Sequence, residues 1–221
     1  MKYLADTANI DEIKELLNYL PIEGVTTNPT LLAHSKKKLS QIIPEILQLL
    51  GDKMIHIQVM SEKSEDMLRE AKRYRDYFQL NEKYFVKIPV TKEGIRAIKM
   101  VKEAGMNVTA TAVFTQQQAL IAAKAGADFV APYVNRLDNI GAQGVNVVSD
   151  IVKTFTLHSL PCNVLGASFK NVNQVYQVSL NGCHAVTLSY EIFNLLIKHP
   201  MTDKGVADFT KDGIPYYDIQ F

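Results

Sequence analysis

Eight times along this chain a short stretch rich in β-branched and aromatic residues gives way to a longer one whose apolar positions fall three and four apart. Strands are expected at 2–6, 24–28, 54–60, 84–89, 107–114, 128–134, 163–168 and 184–189. Helices are expected at 10–19, 38–50, 63–80, 92–104, 115–125, 143–159, 171–181 and 190–198. Gly105, Gly126 and Gly182 stand where a helix stops and a strand begins, the left-handed position that suits glycine. Asn9, Ser61 and Thr115 read as helix N-caps. Strict alternation implies parallel strands joined by helical crossovers. Eight units in 221 residues predict an α/β chain folded as a single-domain (β/α)8 TIM barrel over 1–221, with a C-terminal tail. A doubly wound open sheet is the alternative, but no glycine-rich phosphate fingerprint follows the first strand.

The bulk properties narrow the function. A formal net charge of +1 argues against a nucleic-acid partner, and the run Lys36-Lys37-Lys38 reads as a solvated helix start. Two cysteines, Cys162 and Cys183, cannot build a disulfide framework and point to a reducing compartment. Asp6, Asp11 and Glu12 interrupt any apolar signal core, and no run approaches the ~20 apolar residues of a membrane span. A soluble cytoplasmic protein without membrane contact is expected.

Alternate residues of a strand share a face. In 84–89, Val86 and Ile88 point one way while Phe85 and Lys87 point the other. Neither face of a barrel strand meets water. If Val86 and Ile88 lie under helices, Lys87 enters the barrel near its carboxyl end, where barrel active sites sit. The other strands repeat the pattern: Asp6 ends the first, Thr26 and Asn28 end the second on one face, and His56 and Gln58 alternate with apolar neighbours in the third. Thr109 and Thr111 do so in the fifth, Tyr133 closes the sixth with Arg136 just beyond, Ser168 and Lys170 close the seventh, and Thr187 and Ser189 the eighth. Any one of these could serve structure alone. Together they predict a small-molecule site at the barrel mouth.

The cluster holds a single carboxylate candidate, Asp6, which argues against paired-carboxylate glycosidase chemistry. The five histidines show no metal-ligand spacing, so no metal and no cofactor are expected. Both cysteines read as small buried hydrophobes. A desolvated lysine remains. Burial disfavours its ammonium form, and the neutral amine attacks carbonyls to give a Schiff base whose iminium is an electron sink. Arg136, Ser168 and Lys170, on the loops after strands six and seven, suit a phosphate. The residues by themselves thus predict a Schiff-base enzyme for a phosphorylated carbonyl compound. A sugar-phosphate sensor without catalysis and a metal-enolate aldolase are the readings it competes with.

The stretches LADTAN (4–9), GVTTNPTLL (24–32), VKIPVTKEGIRAIKMV (86–101), AGADFVAPYVNRLD (125–138), GASFKN (166–171) and HPMTDKGVADF (199–209) resemble the transaldolase family, and more closely its small-chain branch, which includes fructose-6-phosphate aldolase. The resemblance runs from end to end. It implies a (β/α)8 barrel, a sugar-phosphate substrate, and Lys87 as the Schiff-base lysine. It implies contacts from Asp6, Asn28 and Thr111 to substrate hydroxyls or a catalytic water, and phosphate binding by Arg136 and Ser168. Lys170 stands where transaldolases often have arginine. Gln58 and Tyr133 stand where they usually have glutamate and phenylalanine, and at both the chain resembles the aldolase branch. An amide only orients water, so the phenol must assist proton transfer. The candidate catalytic set is therefore Lys87, Gln58, Tyr133, Asp6 and Thr111, with Asn28, Thr26, Arg136, Ser168 and Lys170 binding substrate. The small-chain branch also implies a homo-oligomer, a decamer of stacked pentamers, and the aromatic tail (Tyr216, Tyr217, Phe221) suits such contacts.

Overall fold

Eight parallel strands, each hydrogen-bonded to the next in chain order, close into a barrel when the eighth returns to the first. The computed structural model describes residues 1–219. The strands are β1 (Lys2–Asp6), β2 (Ile22–Thr26), β3 (Met54–Gln58), β4 (Tyr84–Pro89), β5 (Asn107–Val113), β6 (Phe129–Pro132), β7 (Asn163–Gly166) and β8 (Ala185–Leu188). Leu4 pairs with Thr187 and Ala5 with Leu188, a closure that an open doubly wound sheet cannot make. The helices are α1 (Ile10–Tyr19), α2 (Pro29–Ser35), α3 (Leu39–Leu50), α4 (Ser64–Phe78), α5 (Lys92–Glu103), α6 (Gln116–Lys124), α7 (Val134–Asp138), α8 (Gly144–Leu157), α9 (Val172–Leu180), α10 (Tyr190–Ile197) and α11 (Pro200–Gly213). The protein is a single-domain TIM barrel. Among the described residues no helix is long and apolar enough to cross a membrane.

Alternation sorts the strand side chains into two cores. Outward residues such as Val25, Ile57, Val86, Ile88, Val108 and Val186 pack under the helices. Inside, Leu4, Met54, Phe85, Phe129, Leu165 and Ala185 form an apolar plug at the amino end of the barrel. The polar inward residues lie above it, one and two pleats further along the same strands. Helix α5 is held hard against the end of β4: a Cβ on Gly94 would fall 1.8 Å from the Pro89 carbonyl oxygen. Only glycine permits that approach, and it fixes the backbone just beyond Lys87.

The strands end sooner than the sequence suggests. β2 stops at Thr26, because Asn28 is the N-cap of α2: its side chain accepts from the Leu31 N–H, and Pro29 begins the helix. β3 stops at Gln58, and the Glu70 carboxylate takes the N–H groups of Met60 and Ser61. Ser61 caps nothing; α4 is entered from Lys63. Of the lysine run, Lys36 closes α2, Lys38 leads into α3, and Lys37 pairs with Glu45 at 2.7 Å. Three helices, α2, α7 and α11, are absent from the sequence-based expectation.

Candidate active site

Lys87 points into the barrel on β4, between Gln58 of β3 and Thr109 of β5, its register partners. It is 6% exposed, and its Nζ donates to the Thr27 carbonyl at 2.6 Å. Burial pulls its amine below the usual lysine range, and the negative charge of Asp6 opposes that pull only in part. The nitrogen therefore gives up its proton more readily than an exposed lysine does, the property a nucleophilic amine needs.

Asp6 is held by a relay of hydroxyls. Thr26 donates to its carboxylate at 2.7 Å, and the Thr187 hydroxyl lies 2.6 Å from that of Thr26. Since Thr26 spends its proton on Asp6, Thr187 donates to Thr26. β1, β2 and β8 meet at this point, so barrel closure itself places the carboxylate. Asn28, using its carbonyl oxygen as the α2 cap, leaves its NH2 facing other demands. A cavity of about 500 Å³ opens beside Asp6, bordered by Asn9, Glu12, His34, Tyr190 and Glu191.

Across the mouth, the hydroxyls of Thr111 and Tyr133 are 2.9 Å apart. A register shift between Ala110 and Val113, with Ala112 at φ +56°, bends β5 there. Bulges of this kind re-aim side chains beside active sites. The Tyr133 ring has Phe114 edge-on at 5.4 Å and the Arg136 guanidinium 4.9 Å from its centroid. Backbone bonds tie this turn to the end of β7: Val134 N–H to the Ala167 carbonyl and Asn135 N–H to that of Ser168, at 2.9 and 2.8 Å. Ser168 adopts φ +61°, a conformation uncommon outside glycine. The loops carrying Arg136 and Ser168 are thus joined to each other by hydrogen bonds. Lys170 is exposed, and its charge helps hold the Glu191 carboxyl below its usual range, after the larger effect of the Ser189 hydrogen bond.

The structure brings Lys87, Gln58, Asp6, Thr26, Thr111 and Tyr133 to one end of the barrel, with Asn28, Arg136, Ser168 and Lys170 on the loops around it. Two parts of the arrangement escaped the sequence. The Thr27 carbonyl is a backbone acceptor with no side-chain signature, and Phe114 supports Tyr133 from a loop position. Among the described residues no group of three or more histidines, cysteines or acids could hold a metal ion. Burial pushes the Cys162 and Cys183 thiols up to about 12 and about 11, which makes both poor nucleophiles.

A profile of the transaldolase/fructose-6-phosphate aldolase family matches residues 3–214. The chain is 37% identical over 212 residues to a protein of Symbiobacterium thermophilum named "Probable transaldolase", covering 96% of each. It is 38% identical over 212 residues to one of the same name from Alkaliphilus metalliredigens, covering 96% of this chain and 97% of that one. A third, from Thermoplasma volcanium and again of that name, is 40% identical over 215 residues, covering 96% of this chain and 95% of its own length.

Proposed function

The chain belongs to the transaldolase/fructose-6-phosphate aldolase family, and from that membership we propose that it is a Schiff-base aldolase cleaving fructose 6-phosphate to dihydroxyacetone and glyceraldehyde 3-phosphate, and joining them in reverse. The observation that carries this reading is Lys87: a buried amine, inside the barrel, with its proton loosened by desolvation. Its nitrogen adds to the substrate C2 carbonyl, and loss of water leaves an iminium. Asp6 takes the C4 hydroxyl proton, the C3–C4 bond breaks, and its electron pair moves into the iminium to give an enamine while the aldehyde departs. A water held by Gln58, Thr111 and Tyr133 supplies the proton to C3 and then hydrolyses the iminium, freeing dihydroxyacetone and Lys87. A second reading, transaldolase, shares every step to the enamine, which then attacks a sugar-phosphate aldehyde. The names of the relatives favour it; the amide of Gln58 and the phenol of Tyr133 favour the aldolase. Turnover of fructose 6-phosphate with and without erythrose 4-phosphate separates the two. Borohydride trapping separates both from a sensor, which needs no covalent step, and indifference to chelators separates them from a metal-enolate aldolase. The reaction needs no cofactor, and its small soluble substrates suit a cytoplasmic enzyme.

Arg136 and Ser168 hold the phosphate in this reading. Losing a charge-assisted hydrogen bond weakens binding by about 1.5–3 kcal/mol. Arg136→Ala is therefore expected to raise the KM for glyceraldehyde 3-phosphate roughly ten- to hundredfold, and that for unphosphorylated glyceraldehyde far less. Equal changes for both aldehydes would remove Arg136 from the role.

The protein also acts as a homo-oligomer in this proposal. α11 buries none of its residues, and Phe209, Ile214, Tyr216 and Tyr217 stand exposed along it and its continuation. Phe221 lies outside the described residues. Apolar surface of this kind is what subunit contacts cover. Light scattering at micromolar concentration is expected to give a mass several times that of one chain, a decamer by family resemblance; a monomer mass would end the proposal.

A further inference from the structure

Gln58 stands at a strand end that is laddered on one side. The register of β3 with β2 ends at Thr26–His56, two residues earlier, while on the β4 side Gln58 pairs with Lys87. The next N–H, that of Val59, donates to the Lys87 carbonyl at 3.1 Å, and there the ladder stops. Met60 is already 63% exposed. Strand ends that run out into solvent fray, but this one is gripped from outside the barrel. Glu70, in the middle of α4, turns its half-buried carboxylate back onto the chain. Its Oε1 and Oε2 lie 2.9 and 3.0 Å from the Met60 nitrogen, and Oε2 also accepts from the Ser61 N–H at 2.9 Å. Oε1 takes the Tyr74 hydroxyl, one helical turn further on. Burial would raise this carboxyl, but the bonds from Tyr74, Met60 and Ser61 together outweigh burial and hold it below the usual carboxylate range, so it stays an acceptor at neutral pH. Burial first, and the Glu70 bond second, push the Tyr74 phenol up, so it stays a donor. At the far end of the loop Glu93 of α5 takes the Ser64 N–H and hydroxyl at 3.1 and 2.9 Å.

We propose that Glu70 is a positioning residue for Gln58: by holding the Met60 and Ser61 N–H groups it fixes where the Gln58 amide stands against Lys87, and with it the water that protonates the enamine and hydrolyses the iminium. This deepens the Schiff-base reading and rests on it. The Lys87 backbone needs no such help. It is laddered on both sides, to β3 and to β5, and α5 is pressed against the end of its strand at Gly94. Gln58 lacks the second ladder, and the carboxylate stands in for it. One hydrogen bond would let the chain pivot about the bonded atom. Two oxygens on successive N–H groups fix its direction as well as its place, and the Tyr74 phenol fixes the carboxylate in turn. The role asks nothing of Glu70 at the substrate; it acts through the backbone two and three residues beyond the amide.

The test compares wild type with Glu70→Ala, Glu70→Gln and Tyr74→Phe, each alone and combined with Gln58→Ala. It reads kcat and KM for cleavage of fructose 6-phosphate, and borohydride trapping with dihydroxyacetone. Glu70→Ala is expected to lower kcat about tenfold, within the roughly 10²-fold that a misplaced group can cost. KM should hardly change, because the phosphate contacts and the lysine have not moved, and trapping should persist. Glu70→Gln is expected to recover most of the rate: its amide oxygen can take both loop N–H groups while its NH2 donates to the phenol oxygen. In the Gln58→Ala background Glu70→Ala should cost little more, since no amide remains to be positioned. A carboxylate that serves only the stability of α4 and its loop would cost the same factor with and without Gln58. That additivity, or a loss carried by KM, overturns the assignment and leaves the Schiff base intact. Should Glu70→Ala fail to fold, Tyr74→Phe, which frees one carboxylate oxygen, carries the same comparison with an expected loss of about threefold. Absence of trapping by wild type, or of fructose 6-phosphate cleavage, would overturn the aldolase reading, and this inference with it.

Discussion

Lys87→Arg is expected to abolish covalent trapping: borohydride with dihydroxyacetone should add the mass of the reduced adduct to the wild-type chain and none to the variant. A guanidinium keeps the positive charge and can still donate to the Thr27 carbonyl, but it does not deprotonate and cannot attack a ketone. Aldol cleavage should fall to background, since in the proposed mechanism the acceleration, on the order of 10⁶-fold or more for enzymes generally, runs through the iminium. An unchanged circular dichroism spectrum shows that the barrel has survived the larger side chain. Trapping that persists in the variant would move the covalent role to Lys170. Lys170 is exposed, whereas burial loosens the proton of Lys87, and that contrast favours Lys87 for the proposed role.

The second large effect concerns the protons that follow bond cleavage. Tyr133→Phe is expected to slow release of free dihydroxyacetone about 10²–10⁴-fold, the usual worth of general acid–base assistance. The phenol reaches its place through the 2.9 Å bond to Thr111, so Thr111→Val should act in the same direction, and Tyr133→Phe and Gln58→Ala should combine less than additively if they share one water. Adding Gln58→Glu to Tyr133→Phe supplies a carboxylate beside Lys87, its register partner. That double variant is expected to raise transfer to erythrose 4-phosphate relative to release of dihydroxyacetone. The ratio of the two rates, in wild type, both singles and the double, is the measurement. A wild type that already prefers transfer, with Gln58→Glu leaving the ratio unchanged, would make the chain a transaldolase.

Where sequence periodicity was strong, the fold could be read to the residue. β4 has the bounds expected from its alternation, because a buried strand with Phe85 and Lys87 on one face and Val86 and Ile88 on the other admits no slip. β2 begins and ends two residues before its expected span. Val25-Thr26-Thr27-Asn28 looks like strand by composition, yet Asn28-Pro29 is a helix cap and a first helical residue, and that local chemistry decides. α7 is a five-residue turn within a β-like Tyr-Val sequence, too short for any period to show. α11 buries no residue, and its large apolar side chains, Met201, Val206 and Phe209, are too sparse for a helical period to show. The inward side chains were legible for the same reason as the strands, two-residue alternation. What joins them was not: the Thr27 carbonyl on Lys87, and the main-chain bonds that bring the loops of Arg136 and Ser168 together, are backbone contacts that any sequence could make.

The ladder around the barrel is uneven, and its thin part has a mechanical meaning. β4 meets β5 from Phe85–Asn107 through to Pro89–Thr111. β6 meets β7 at Phe129–Asn163 and Val130–Val164 and again through the Tyr133–Ala167 bridge, whereas β7 meets β8 only at Leu165–Ala185 and Gly166–Val186. Opening such a ring costs least where it has fewest bonds to break. The compliant seam is the one between β7 and β8, while the loops of Arg136 and Ser168 stay bonded to each other on one side of it and Lys87 and Gln58 stand on the stiff arc opposite. If the barrel takes sugar phosphates as proposed, it is expected to adjust its grip on ones of different length by yielding between β7 and β8, while the amine and its neighbours keep their geometry.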